Sequence, residues 1–365
     1  DRSEAPKPGP APKPEIGKYE QFKLDNGLTV FLVENHKLPR VTFQLVVDND
    51  PVLEGDKAGY VRITGEMMES GTTNRSKEEL NEEIDFIGAS LSAGPNGIYA
   101  SSLSKHKDKV MELISDVALN PAFPQEEMDK VKTKIQSELQ SAKNDPNSIA
   151  STAGSAIRYG KDHPYGEVMT EETLENITME DCKAYFNTYL RPNKAYLAIV
   201  GDITLEEAKE LTEKYLSAWE AGDVPEHSYE LPEPPKANRV AFVDKPGAVQ
   251  SVVNVTYPVD LKPGTEEALH VSVMNNILGA PGFSGRFMQN LREDKAFTYG
   301  AYSAFNTSPV VGSFRAYASV RNEVTDSAVT EFLYEMERMV TENVTEADLE
   351  KTIAKMSGSF ARSLE

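Results

Sequence analysis

The chain of 365 residues carries 38 Lys and Arg against 58 Asp and Glu, which gives a formal net charge of −20. A surface this negative repels phosphates and therefore argues against nucleic acid as a partner. No apolar run approaches the ~20 residues of a membrane-spanning helix, so we expect no transmembrane segment. The single cysteine, Cys182, excludes an intrachain disulfide and a thiolate metal cluster, and we expect it to be buried as a small apolar residue.

The first segment, residues 1–18, is rich in proline (APKPGPAPKPEIG), which predicts an extended linker. Such a linker is expected after a removed signal or lipid anchor, and this suggests a periplasmic or extracytoplasmic setting. A disordered chain end fits the composition almost as well. From Tyr19 onward the apolar runs LTVFLVEN and VTFQLVV predict two paired strands, so a folded domain begins here.

The remaining elements of the first domain follow in order. A helix is predicted at Gly59–Met68, then two strands around GPNG, a helix at Lys107–Leu119 and the strongly periodic helix PQEEMDKVKTKIQSELQSAK. The strand YLAIVGDI and the amphipathic helix LEEAKELTEKYLSAW complete a domain that spans 19–220. Residues 221–237 are rich in proline and acidic residues, which is typical of an interdomain linker.

The second half, residues 238–365, repeats this order. It begins with the predicted strands RVAFVDKP and SVVNVTYPVD, and FPQEEMDKVKTKI aligns without gaps with VTEADLEKTIAKM, 221 positions later. The sequence therefore predicts an α+β fold with two homologous domains. A complete repeat would need about 75 further residues, so we expect the second domain to be truncated at its C-terminus.

Several segments resemble, in the right order, the pitrilysin/insulinase-type zinc peptidases of the small two-domain type, which includes bacterial and mitochondrial-processing-peptidase-like members. They are FKLDNGLTVFLVEN, PRVTFQLVV, HPYGEVMTEETLENIT, NKAYLAIVGDI and GFSGRFMQNLREDKAFTYGAYS. The resemblance runs from Tyr19 to Glu365. It implies two domains, each a mixed or antiparallel sheet packed with helices, that form half of a clam shell around a peptide.

Active members of this family carry an HxxEH motif, whose two His bind zinc with a later Glu while the motif Glu acts on the bound water. The matching stretch here is AGYVRITGEMMESGT, in which Arg62, Gly65 and Glu66 replace the three motif residues, whereas Glu138 matches the third ligand. The resemblance thus implies no zinc and no peptidase activity in this chain alone. We expect Arg62 to pair with Glu66 or Glu138 in place of the metal.

Two further expectations concern metal binding. Changing Arg62 to His, Gly65 to Glu and Glu66 to His should recover a zinc site if the helix geometry is unchanged. No other metal site is expected, because no two of the five histidines have helical spacing, and His163 is expected to cap a loop. The histidines are His36, His106, His163, His227 and His270.

The segment LREDKAFTY carries an Arg and a Tyr seven residues apart, Arg292 and Tyr299. The resemblance implies that this pair acts in trans at the zinc of a partner subunit. There the Tyr hydroxyl binds the scissile carbonyl or its oxyanion and the Arg holds the substrate backbone. The alternative is an ordinary helix end followed by a strand whose aromatic residues pack in a core.

Two glycine-containing segments are further candidates for binding. Gly279, Gly282 and Gly285 match a flexible, substrate-guiding loop in some non-catalytic members, although a tight turn between helices is equally consistent. The segment SLSAGPNGIYASS matches the edge strand that receives substrate peptides. Its few bulky side chains, around Gly94 and Pro95, make it a weak binding strand.

Together these features predict a non-catalytic subunit that binds a peptide or unfolded protein beside a homologous, HxxEH-bearing subunit. Zinc is then expected only in that partner, and the complex would be a zinc metalloendopeptidase. A purely structural or assembly scaffold of the same fold is the alternative. An unrelated enzyme is disfavoured because no nucleophile motif, phosphate loop or carboxylate pair stands out.

Overall fold

The computed structural model describes residues 17–233 and 236–364, so the proline-rich segment predicted at 1–18 lies almost wholly outside the described residues. The chain divides into two units. The N-terminal unit comprises Gly17–Ser141 and Lys161–Ser228. The C-terminal unit comprises Ala142–Gly160 and the described residues from Tyr229 onward. The division at Ser228 falls inside the segment predicted as a linker, and the described part of that segment contains no helix or strand.

Six strands form one mixed sheet in the N-terminal unit. They are β1 (Glu20–Lys23), β2 (Thr29–Glu34), β3 (Arg40–Val47), β4 (Ser90–Gly94), β5 (Gly97–Leu103) and β6 (Ala195–Gly201), in the spatial order β1-β2-β6-β3-β5-β4. Only β2 and β6 run parallel. The predicted direct pairing of β2 with β3 is wrong, because β6 lies between them. The sequence of β6, AYLAIVG, is apolar enough for this central place.

Strand alternation and helix periodicity build the core of this unit. Inward residues of the sheet, such as Val30, Phe43 and Ile199, are fully buried, and their neighbours along each strand are more exposed. The helices are α1 (Tyr60–Met68), α2 (Lys77–Phe86), α3 (Lys107–Leu119), α4 (Gln125–Ala142), α6 (Glu171–Asn176), α7 (Met179–Tyr189) and α8 (Leu205–Leu216). Cys182 of α7 is buried in the same core, as predicted.

The C-terminal unit has a three-stranded antiparallel sheet in the order β7-β9-β8, with β7 (Gln250–Val259), β8 (Thr298–Asn306) and β9 (Gly312–Arg321). Its helices are α5 (Pro146–Tyr159), α9 (Glu266–Leu278), α10 (Thr325–Thr341) and α11 (Glu346–Ser363), with a π-helical turn at Met288–Asp294. Phe287, Phe314 and Phe332 are central to its core.

Helix α5 differs from the sequence prediction, which placed residues 19–220 in one domain. It lies against β7 of the C-terminal unit. The reason is specific bonding: Arg158 donates to the Thr256 hydroxyl at 2.6 Å, and the Asn254 amide donates to the Ala150 carbonyl at 3.2 Å. The Cβ of any residue other than glycine at Gly154 would lie 2.7 Å from the Asn254 amide, so the glycine permits this approach.

The predicted internal repeat is confirmed at the level of elements. The series β3-α1-α2-β4-β5-α3-α4 corresponds to β7-α9-π-turn-β8-β9-α10-α11. Both α4 and α11 have 18 residues, and they begin at Gln125 and Glu346, the positions that the aligned segments require. The α+β fold with two related units is therefore correct.

One predicted strand is absent. The segment RVAFVDKP forms no strand, and Val240 and Phe242 are 91% and 83% exposed. In the N-terminal unit the corresponding β2 is hydrogen-bonded to β1 and β6. No described segment of the C-terminal unit takes the place of β6 beside β7, so RVAFVDKP has apolar alternation without a partner to pair with.

Candidate functional site

A half-buried carboxylate fixes the start of α1, the helix that carries the three substituted motif positions. Glu54 accepts hydrogen bonds from the backbone N–H groups of Gly59, at 2.9 Å, and Val61, at 3.0 Å. These are N–H groups that a helix cannot satisfy internally. Burial raises the pKa of Glu54, although the same N–H groups oppose that effect. The first turn of α1 is thereby held in place beside α7.

The substituted positions of α1 form an ion-pair cluster with α4. Arg62 donates to Glu66 at 3.1 Å and to Glu138 at 2.5 Å, and Lys134 donates to Glu66 at 2.9 Å. The predicted pairing of Arg62 is confirmed, and it involves both carboxylates rather than one. Sequence reasoning missed Lys134, although its position one helical turn before Glu138 was a usable signal.

The charges of this cluster balance, because two basic side chains face two acidic ones. The hydrogen bond from Arg62 keeps the pKa of Glu138 below its usual range, and the bond to Glu66 raises the pKa of Lys134. All four groups remain partly exposed; the side chains of Arg62 and Glu138 are 45% and 44% accessible. The cluster is therefore a charge-balanced, partly exposed ion-pair network and not a buried one.

These residues do not fit zinc. A zinc site needs neutral nitrogen or thiolate sulfur donors together with any carboxylate, and this group offers two carboxylates already neutralised by a guanidinium and an ammonium. Within the described ranges, no group of three or more His, Cys, Asp or Glu is placed to hold a metal ion. His163 instead accepts a hydrogen bond from the backbone N–H of Tyr165, at 3.1 Å, as a loop cap.

Gly65, which matches the position of the catalytic Glu, is closed by the β4–β5 turn. A Cβ at this position would lie 2.2 Å from the Pro95 ring and 2.9 Å from its backbone nitrogen. A glutamate therefore cannot enter unless the hairpin moves. The expectation that three substitutions would recover metal binding on an unchanged helix therefore meets a steric obstacle at Gly65.

Strand β4 forms one edge of the six-stranded sheet, beside α1. Its outward N–H at Ala93 is already occupied, because the carboxylate of Glu69 accepts from it at 2.6 Å. A peptide that added to this edge would have to displace Glu69. Together with the sparse side chains of β4, this contact supports the prediction of a weak binding strand.

Arg292 and Tyr299 come together in the C-terminal unit. Arg292 lies in the π-helical turn and Tyr299 at the start of β8, and the guanidinium carbon is 5.0 Å from the Tyr299 ring centre. The same guanidinium lies 5.0 Å from the Phe283 ring, so it is held between two aromatic side chains. A π-helical turn of this kind is frequent at functional sites.

Tyr299 is not a core residue. Its exposure is 87%, and its hydroxyl forms no hydrogen bond with the described residues. Tyr299 therefore does not pack in a core, as the alternative interpretation of this strand required of it. The pair offers a phenol donor and a guanidinium fork at one exposed position.

The three glycines before this pair are explained by backbone geometry. At Gly279 a Cβ would lie 2.5 Å from the Phe287 ring, at Gly285 it would lie 3.1 Å from Gly279, and Gly282 has a φ of +141°. Lys355 of α11 also donates to the Pro281 carbonyl at 3.3 Å. These contacts favour the tight turn between helices over an open loop.

Comparison with known proteins identifies the family. Residues 29–169 match the family described as "Insulinase (Peptidase family M16)", and residues 176–356 match "Peptidase M16 inactive domain". The chain is 24% identical over 356 residues to the "Uncharacterized zinc protease YmxG" of Bacillus subtilis, covering 95% of this chain and 84% of that protein. It is 20% identical to the "Non-peptidase homolog YmxG" of Helicobacter pylori over 90% of this chain and 77% of that protein.

A solved structure has the same fold. The peptidase M16 inactive domain from Pseudomonas fluorescens superposes with a TM-score of 0.84 at 21% identity, covering 95% of this chain and 86% of that chain. In the described part of the chain no helix is both long and apolar enough to cross a membrane. The two sequence matches together extend over most of the chain, and it belongs to peptidase family M16, the insulinase family.

Proposed function

We propose that this chain is a non-catalytic, peptide-binding subunit that supplies Arg292 and Tyr299 to a peptide held at the zinc of a homologous, HxxEH-bearing partner. The observation that carries this proposal is the exposed stack of Tyr299 on Arg292, with the Tyr299 hydroxyl free of described partners. A tyrosine this exposed contributes little to the core. Its position is more readily explained by a ligand than by stability.

The cluster on α1 supports the non-catalytic half of the proposal. Arg62 and Lys134 neutralise the two carboxylates that would otherwise be available to a cation. Gly65 leaves no general base at the motif position, and Pro95 closes the space that such a base would need. A relative named as a non-peptidase homolog indicates that members without peptidase activity occur among similar proteins.

The chemistry of the pair suits a peptide bond under attack. The phenol donates a hydrogen bond without deprotonation at neutral pH, and it can meet the negative charge that develops on the carbonyl oxygen. The guanidinium presents several donors in a rigid fork, and its position between Phe283 and Tyr299 limits its motion before substrate arrives.

The test uses the chain together with an HxxEH-bearing homologue with which it forms a complex. Tyr299→Phe should lower turnover on the order of 100-fold, because it removes one donor to the oxyanion. Arg292→Ala should mainly raise the KM, because a backbone clamp acts on ground state and transition state alike. Tyr334→Phe is the matched control, since Tyr334 is an exposed tyrosine that stacks on Arg338, 5.5 Å away, on α10.

The scaffold function makes the opposite prediction. If the complex assembles and both variants hydrolyse peptides as the wild type does, the pair plays no part in catalysis. The chain would then be an assembly protein of the same fold. Size-exclusion chromatography of each variant complex separates this outcome from a failure to assemble.

A further inference from the structure

Two arginines of the C-terminal unit converge on one face of its sheet, on the side where α5 lies. Arg158, near the end of α5, donates from Nη1 to the Thr256 hydroxyl at 2.6 Å. Thr256 lies directly opposite Arg315 in the pairing of β7 with β9. Directly opposed residues of an antiparallel pair point to the same face, so the two guanidiniums are neighbours.

Groups of the protein accept hydrogen bonds from only some of the donors of Arg158 and Arg315. Arg158 also stacks on Tyr159, 4.5 Å from its ring centre, shares a side-chain hydrogen bond with it, and makes a long contact of 3.4 Å with Ser155. Arg315 stacks on Tyr317 at 4.5 Å. The Nε atoms of both arginines are buried without a hydrogen-bond partner among the described residues, and neither side chain forms an ion pair with a described carboxylate.

This arrangement is electrostatically unfavourable by itself. Burial lowers the pKa of the Arg158 guanidinium, and the charge of Arg315 lowers it further. The chain has 20 more acidic than basic residues, yet none of the described ones is placed against this pair. Two like charges brought together with unused donors are stabilised when an anion completes the group.

The surrounding side chains indicate which anion fits. Asn254 lies opposite Tyr317, and its Oδ1 is buried without a partner among the described residues, so it is an acceptor available to a hydrogen-bond donor. Tyr302 lies opposite Tyr317 on β8, with ring centres 5.8 Å apart, and provides an apolar surface beside the arginines. An anion without a hydrogen-bond donor would leave the Asn254 acceptor unused. A peptide carboxylate with a neighbouring backbone N–H would satisfy both kinds of group.

We propose that Arg158 and Arg315 bind a carboxylate of a peptide ligand, while Asn254 accepts a hydrogen bond from an adjacent peptide N–H. The inference rests on the proposed function only in taking a peptide as the source of the carboxylate. The carboxylate belongs either to an acidic side chain or to the peptide C-terminus. Both share the planar geometry that a guanidinium fork recognises.

The experiment measures binding of labelled peptides to the isolated chain by fluorescence polarisation. Three peptides share one Ala–Ser sequence: one is blocked at both ends with a central Glu, one is its Gln counterpart, and one is the Gln peptide with a free C-terminal carboxylate. Preference for the first identifies a side-chain carboxylate, and preference for the third identifies the C-terminus. Equal affinity for all three, or no binding, overturns the proposal.

Variants distinguish peptide binding at this site from nonspecific attraction of the peptide to positive charge. Arg315→Gln and Arg158→Gln should each weaken the preferred peptide on the order of 10-fold, the loss typical of a charge-assisted hydrogen bond. Arg321→Gln is the control, because Arg321 ends the same strand and pairs with Glu323 in the exposed surface. Unchanged affinity in both site variants would contradict the assignment.

A stability measurement excludes a merely structural role. Without ligand, the Tm of Arg315→Gln should equal or exceed that of the wild type, because the substitution removes a like-charge contact. A clear fall in Tm would show that Arg315 is needed for folding instead. Tyr299 takes no part in this site, so Tyr299→Phe should keep the preference for the carboxylate-bearing peptide. This result distinguishes failure of this inference from failure of the proposed function.

Discussion

At the scale of single residues, two arginine clusters of the N-terminal unit differ in burial. We therefore expect them to differ in their contribution to the free energy of unfolding. Arg62 is 45% accessible in its cluster with Glu66 and Glu138. Arg75 is 15% accessible, and it binds Asp116 at 2.6 Å, which is itself only 5% accessible. Burial would raise the pKa of Asp116, but hydrogen bonds from Thr72, Asn74 and Arg75 outweigh it and hold the pKa below its usual range.

We expect Arg62→Met to change the free energy of unfolding by less than about 1 kcal/mol, because exposed ion pairs are screened by water. Arg75→Met should cost about 3 kcal/mol or more, since it leaves the buried Asp116 charge without its cation. Urea denaturation of both variants measures the difference. A loss at Arg62 as large as that at Arg75 would mean that the former motif helix depends on its ion pairs.

At the scale of elements, the contact of α1 with the β4–β5 turn determines which of the substituted motif positions can accept a larger side chain. Positions 62, 66 and 138 already converge, as the bonds of Arg62 to both glutamates demonstrate. Position 65 is blocked by Pro95, whereas a Cβ at Gly94 of the same hairpin would meet nothing within 4 Å. The positions that would hold metal ligands therefore have room for a side chain, whereas the position of the general base does not.

The double variant Arg62→His and Glu66→His should bind zinc with Glu138, since these positions supply two nitrogens and one carboxylate. Adding Gly65→Glu should weaken zinc binding and destabilise the fold by overpacking, by about 1–3 kcal/mol. Gly94→Ala is the control and should be nearly neutral. Elemental analysis and thermal denaturation check both parts, and a triple variant that binds zinc better than the double variant would contradict the closed position.

At the scale of the whole molecule, the two units differ in the extent of their cores. The N-terminal unit buries a sheet of six strands, while the C-terminal unit has three strands and fewer buried apolar residues. Large apolar side chains remain exposed in the latter; they include Val240, Phe242, Leu269 and Val340. Less buried apolar area means a smaller hydrophobic contribution to stability.

We therefore expect the C-terminal unit to unfold at lower urea concentration than the N-terminal unit. Hydrogen exchange followed by mass spectrometry should report this as earlier loss of protection in β7, β8 and β9 than in β3, β5 and β6. Helix α5 should exchange with the C-terminal strands, because it packs on β7. Exchange of α5 together with α4 would contradict the assignment of α5 to that unit.

The sequence by itself determined many of the elements and their repetition, because helical and strand periodicity are local properties of the chain. It also identified the substituted motif positions and the pairing of Arg62, since i, i+4 spacing on one helix fixes proximity.

Only the tertiary structure decided what depends on distant segments. It inserted β6 between β2 and β3, placed α5 on β7, and left RVAFVDKP without a strand partner. It also set Pro95 against Gly65, Glu69 on the edge of β4 and Arg158 beside Arg315. These contacts arise from packing between elements far apart in the chain, where sequence spacing carries no information about distance.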